Sequence, residues 1–139
     1  MTAPFLTPLK RISTPKGDVL HGMKASDAGY EGFGEAYFSQ VFSGDTKGWK
    51  RHLRMTLNLV CVAGAIRIMV RDGDGGMVLD TQLSPDAPDL YNRLTVPPGY
   101  FVAFQGVAPH TSTLLNVASI PHDPDEAETR PLDAFGDVP

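Results

Sequence analysis

Cysteine is nearly absent from this 139-residue chain. Cys61 stands alone, so no internal disulfide can form, and its apolar, strand-like surroundings read as those of a small buried hydrophobe. Long apolar runs are missing too; none approaches the ~20 residues a helix needs to cross a bilayer. Met1-Thr2-Ala3-Pro4-Phe5-Leu6 lacks a basic segment followed by an apolar one. A cytoplasmic protein without membrane association is the expectation. Positive charge is not in excess: the formal net charge is -4. That speaks against non-specific nucleic-acid binding, although a local basic patch could still hold a small anion. The four histidines, His21, His52, His110 and His122, are scattered, with no His-x-His pair. A catalytic metal needs about three clustered His or carboxylate ligands, so we expect neither metal nor cofactor. Nucleotide-binding glycine fingerprints, a P-loop, H-E-x-x-H and G-x-S-x-G are also lacking. Nucleotide-fold oxidoreductases, NTPases and triad hydrolases are therefore poor candidates.

Turns are plentiful. The 14 glycines and 12 prolines punctuate the chain and do not form a low-complexity block. Residues 1–17 read as an extended arm or edge strand, and Pro15-Lys16-Gly17-Asp18 as a turn. A short strand is expected within 18–24 and a loop over 26–34. Residues 33–42 alternate. Glu35, Tyr37 and Ser39 share one face; Ala36, Phe38, Gln40 and Phe42 share the other, which reads as the packing face. After a turn over 43–48, a long β-rich run extends to 63. If that strand is unbroken, Lys50, His52, Arg54, Thr56 and Asn58 share a polar face, either solvated or lining a cavity. Leu59-Val60-Cys61-Val62-Ala63 is apolar on both faces and reads as central. Such a strand would run from a barrel mouth into a sealed core.

Ala63-Gly64 makes a corner, 65–71 a return strand, and Asp72-Gly73-Asp74-Gly75-Gly76 a hairpin turn. Further strands are expected over 77–83, 93–96, 100–105 and 111–118, with Pro97-Pro98-Gly99 as a sharp bend. From about 120 an acidic tail runs to 139 and is expected to lie on the surface or pack on a partner. About nine short strands and no long helix give an all-β sandwich or barrel. The length favours a single domain over 1–139. Trp49 reads as core packing or a dimer contact.

Several segments, in order and spacing, resemble the dTDP-4-dehydrorhamnose 3,5-epimerase family. They are Gly48-Trp49-Lys50-Arg51-His52, Asn58-Leu59-Val60, Gly64-Ala65-Ile66, Leu94-Thr95-Val96-Pro97-Pro98-Gly99, Asn116-Val117-Ala118 and Pro121-His122-Asp123-Pro124. Short, epimerase-like cupins are the nearer match. The resemblance covers roughly residues 10–133. It implies a cupin-type double-stranded β-helix, a jelly-roll barrel acting on a nucleotide-linked 4-keto-6-deoxy sugar. His52 matches the family's catalytic base, which removes the proton next to the keto group, a task suited to a neutral imidazole. Lys50, Arg51 and Arg54 are placed to stabilise an enolate and the pyrophosphate. Glu35, Asn58 and Asn116 are taken as further substrate-binding residues.

The sequence also departs from the family. Its catalytic tyrosine would fall near Leu114 or Leu115, its lysine at Leu57 or Asn58, and the histidine after the Pro-Pro-Gly bend around Val102. Tyr37 or Tyr100 could replace the acid, and Tyr37 is our candidate. Three readings follow: a metal-free sugar-nucleotide isomerase or epimerase; a non-catalytic nucleotide-sugar- or carbohydrate-binding cupin of polysaccharide biosynthesis; and a structural β-sandwich whose basic face is merely solvated. Exposed sheet edges favour a homodimer, helped by the N-terminal arm.

Overall fold

Period-2 alternation, cut every few residues by glycine and proline, produces short antiparallel strands. The computed structural model describes residues 2–136, 138 and 139. The strands are β1 (Phe5–Pro8), β2 (Arg11–Ile12), β3 (Val19–Leu20), β4 (Glu35–Val41), β5 (Thr46–His52), β6 (Leu57–Ala63), β7 (Ile66–Arg71), β8 (Met77–Leu83), β9 (Asn92–Val96), β10 (Phe101–Gly106), β11 (Ser112–Ala118) and β12 (Ala127–Thr129). They form two five-stranded sheets, ordered β1-β9-β6-β11-β4 and β12-β5-β10-β7-β8, and a small β2-β3 hairpin. Both large sheets feed one buried cluster: Leu57, Leu59 and Leu114 from the first meet Ile66, Ile68 and Val102 from the second. The result is the expected jelly-roll barrel of the cupin type. Cys61 lies in this core, and burial pushes its thiol up to about 11, as befits an unreactive side chain.

A second cluster sits on the outer face of the second sheet. Trp49, Met69, Phe101 and Ala103 are buried there beneath Leu132 and Phe135. The tail expected to lie on the surface or pack on a partner is instead docked on its own chain: β12 pairs with β5, Ala127 opposite His52 and Thr129 opposite Lys50.

Two expectations about strand phase are corrected. The run from 49 to 63 is not one strand: β5 ends at His52, residues 53–56 leave the sheet, and β6 starts at Leu57. Side chains beyond His52 therefore do not continue its face. In β4 the expected faces are reversed. Tyr37 lies opposite Asn116 and Ser39 opposite Leu114, turned inward, while Phe38 and Phe42 are 66% and 64% exposed.

β5 also carries a bulge. Val102 pairs with Lys50 but Phe104 with Lys47, so two steps on β10 span three on β5. Gly48 makes this possible, because with φ +148° a Cβ there would come within 2.7 Å of Ala103 Cβ. The extra residue brings Lys47 onto the same face as Lys50 and His52.

Candidate active site

The two sheets enclose a cavity of about 190 Å³ at the β4–β5 end. The first sheet lines it with Tyr37 and Ser39 from β4, Asn116 and Leu114 from β11, and Leu57 and Leu59 from β6. The second lines it with Lys47, Lys50 and His52 from β5 and Val102 and Phe104 from β10. Its size is below the ~300–1,000 Å³ of sites that engulf a whole drug-sized ligand. It suits one small ring, with any larger appendage lying across the mouth.

His52 is 7% exposed, and its Nδ1 is hydrogen-bonded to Glu126 Oε1. Glu126 is itself buried, at 3% exposed. Its Oε2 accepts from the backbone amides of Leu53 at 3.1 Å, Arg54 at 3.0 Å and Met55 at 3.2 Å. The break after β5 thus has a chemical use: the chain turns three successive amides onto one carboxylate. Burial alone would raise the Glu126 pKa. The hydrogen bond from His52, the Arg54 amide, the His52 charge and the Met55 amide together outweigh it and hold the carboxyl below its ordinary value. An ionised carboxylate only accepts, so whenever the imidazole is neutral its one proton sits on Nδ1. Nε2 is then left with a free lone pair for a ligand.

Across the cavity, Tyr37 Oη accepts from Asn116 Nδ2 at 2.9 Å. Asn116 is itself fixed, since its Oδ1 accepts from the Asn58 amide at 3.0 Å. With an acceptor site on Tyr37 filled by Asn116, its O–H is left to donate. In the ligand-free site that O–H points to Met55 Sδ at 4.0 Å, a weak acceptor that a better one can replace.

Of the residues singled out from sequence, His52, Lys50, Tyr37 and Asn116 come together on this cavity. Arg51, Arg54, Glu35 and Asn58 do not line it. Arg51 alternates to the outer face, pairs with Glu128 at 2.7 Å and stacks over Phe101 at 4.8 Å. Arg54 follows the strand break and pairs at the surface with Asp123. Glu35 accepts from the His122 amide. Asn58 faces away from the cavity, where its side chain bonds Gly29 O and Thr95 Oγ1. Tyr100 is buried elsewhere, with its hydroxyl on Thr2 O. Trp49 is core packing.

Sequence reading missed Glu126 and Lys47. Glu126 sits in Asp123-Pro124-Asp125-Glu126-Ala127-Glu128, where an acidic surface tail is the natural reading. Lys47 sits in what reads as a turn. Where the family resemblance implies polar groups, at Leu57 or Asn58, around Val102 and near Leu114 or Leu115, the cavity is lined by Leu57, Val102 and Leu114. Among the described residues no three His, Cys, Asp or Glu side chains cluster as metal ligands.

A jelly-roll barrel whose cavity carries a carboxylate-bound histidine defines the class: a cupin-fold protein with a buried histidine–carboxylate pair beside its cavity. Comparison with known proteins narrows it. No protein-family model matches the chain, and neither does any curated protein. Solved structures do. A dTDP sugar isomerase from Desulfovibrio desulfuricans G20 is 31% identical over 94% of this chain and 85% of its own, with a TM-score of 0.86. The chain belongs to this dTDP-sugar isomerase family. The sugar 3,4-ketoisomerase QdtA from Thermoanaerobacterium thermosaccharolyticum, solved with TDP, shares the fold at 20% identity and TM-score 0.75, over 95% of this chain and 90% of its own. ChmJ, a 3'-monoepimerase from Streptomyces bikiniensis solved with dTDP-quinovose, does so at 15% identity and TM-score 0.82, over 94% and 71%.

Proposed function

We propose that this protein is a sugar-nucleotide isomerase or epimerase acting on a nucleotide-linked 4-keto-6-deoxy sugar. The observation that carries the reading is the His52–Glu126 pair, with Nε2 left for a ligand in a cavity also lined by the Tyr37 hydroxyl. His52 Nε2 takes the proton from the carbon beside the sugar carbonyl. The C–H pair becomes a C=C bond, and the carbonyl pair moves onto oxygen as an enolate. Tyr37 donates to that oxygen. Glu126 stabilises the imidazolium. Delivery of a different proton to the same carbon from the Tyr37 side, while His52 keeps the first, inverts that carbon. Alternatively the old carbonyl oxygen keeps a proton as a hydroxyl, its carbon takes the proton back from His52, and the adjacent hydroxyl loses its proton as its oxygen becomes the new carbonyl. Electrons balance without an oxidant or reductant, so the reaction needs no redox cofactor. Lys47 and Lys50 meet the diphosphate at the mouth.

One observation favours a second reading, a non-catalytic nucleotide-sugar-binding cupin of polysaccharide biosynthesis. Leu57, Val102 and Leu114 give the cavity an aliphatic lining where the resemblance implies polar groups. Incubation with dTDP-4-keto-6-deoxyglucose, followed by 1H NMR, separates the two. Catalysis predicts a new sugar spin system that fails to form with His52→Asn. Binding without any new product over many hours supports the second reading.

A homodimer is part of the proposal. Phe33, Phe38 and Phe42 lie exposed along the β4 edge, and Ile12 and Val19 on the β2-β3 hairpin. Light scattering on the full chain tests it, and a monomer at high concentration contradicts it.

A further inference from the structure

We infer that Phe135, on the outer face of the barrel, is a positioning residue that holds Glu126 against His52. The inference rests on the acid–base reading above. It starts from how the carboxylate is delivered. Glu126 immediately precedes β12, a three-residue strand on the edge of the second sheet. So short an edge strand frays unless something else fastens it. Its own side chains contribute little burial, with Ala127 and Glu128 half-buried and Thr129 exposed. The amides of Leu53, Arg54 and Met55 fix a carboxylate only once the segment carrying it has docked.

The fastening comes further along. After Arg130, whose amide and carbonyl pair with Trp49, the chain turns and inserts Phe135 beside the outer aromatic cluster. Its ring stands edge-on to Trp49, with centroids 5.3 Å apart and planes at 83°, and lies 5.2 Å from Phe101. The Arg71 guanidinium sits 5.4 Å from its centroid. Gly75 closes the far side, where an added Cβ would meet the ring at 2.9 Å. Trp49 Nε1 also donates to Leu132 O at 3.2 Å. Trp49 is three residues before His52 on the same strand, with its side chain outside and the imidazole inside. The strap is thus pinned outside at Phe135, runs along β5 as β12, and presents Glu126 inside.

The test follows His52 without substrate, in the 15N-labelled full chain. Its ring resonances are assigned by their loss in His52→Asn. The wild type should show a hydrogen-bonded, slowly exchanging Nδ1–H that disappears in Glu126→Gln. Phe135→Ala should keep the core methyl spectrum of β6 and β7, broaden or lose the Nδ1–H signal, and lower kcat by about 10–100-fold with KM within about 2-fold. Phe135→Leu should restore most of both. A folded Phe135→Ala with unchanged Nδ1–H exchange and unchanged kcat would overturn the inference. Should Phe135→Ala not fold, Trp49→Phe stays aromatic but removes the indole N–H bonded to Leu132 O and part of the surface that Phe135 packs against, loosening the same strap. It should speed Nδ1–H exchange, and no change overturns the inference equally. The resonance needs no sugar, so a protein inactive on nucleotide sugars but sensitive at His52 would fail the proposed function and leave this inference standing.

Discussion

Among the described residues, Arg93 and Glu126 are buried charged groups, and they differ in what they face. Arg93 on β9 has no exposed surface. Its Nη1 donates to Gly22 O at 2.8 Å and Asp27 Oδ2 at 3.2 Å, and its Nη2 to Ala28 O at 3.3 Å. It ties the 22–28 loop over the outer face of the first sheet. The Lys24 amide, more than Arg93, keeps the Asp27 carboxyl below its ordinary value against the effect of burial. Glu126 is buried to a similar degree and also held low, yet its partner His52 keeps one nitrogen toward a cavity. Burial of a charge is therefore no signature of a site by itself. The signature is a buried, oriented pair with one valence left over and room beside it.

Breaking each pair should separate chemistry from stability. Glu126→Gln keeps the shape but no longer enforces the Nδ1–H tautomer, so kcat should fall about 10²–10⁴-fold, by analogy with other carboxylate–histidine pairs. Steady-state NMR assays check this, with KM little changed. Arg93→Met should do the converse. Leaving Asp27 and the loop carbonyls without their partner should cost about 3–5 kcal/mol in denaturant unfolding. Turnover per folded molecule should stay near wild type.

Acid should weaken both clusters. Glu126 and Asp27 have folded pKa values below their ordinary ones, so the unfolded chain binds more protons at low pH. Their stabilisation is complete above the ordinary carboxylate pKa, about 4. It is lost as pH falls through the lowered folded values. Thermal unfolding against pH should show a shallower acid limb for Glu126→Gln than for wild type. The smallest effect belongs to the cavity mouth. Lys50→Met removes one charge-assisted contact and should weaken binding of a nucleotide sugar about tenfold by calorimetry, with kcat altered less.

The sheets were largely legible because alternation and turn residues carry them: the strands at 66–71, 77–83 and 112–118 lie within a residue or two of where the pattern puts them. The site was half legible. His52 and Lys50 share a strand face that period 2 exposes. Period 2 puts Tyr37 on the face with Glu35 and Ser39 but points the wrong face inward, because the exposed Phe38 and Phe42 look like core. What stayed hidden depends on breaks in period. The Gly48 bulge brings Lys47 to the cavity, and the exit at 53–56 takes Arg54 away from it. Glu126 was hidden differently. Its partner is 74 residues away, and its neighbours Asp123, Asp125 and Glu128 give it the look of a solvated run. Phe135 gave no signal beyond a lone aromatic in a polar tail.

The account rests on His52 acting as a base toward a carbon-bound proton inside the barrel. Deuterium uptake from D2O into dTDP-4-keto-6-deoxyglucose tests this most directly, because exchange needs only the base and not the second proton donor. Wild type should wash deuterium into the position beside the carbonyl, Glu126→Gln should do so far more slowly, and His52→Asn should not exceed the enzyme-free rate. Absence of uptake with wild type, or equal uptake with His52→Asn, would contradict it.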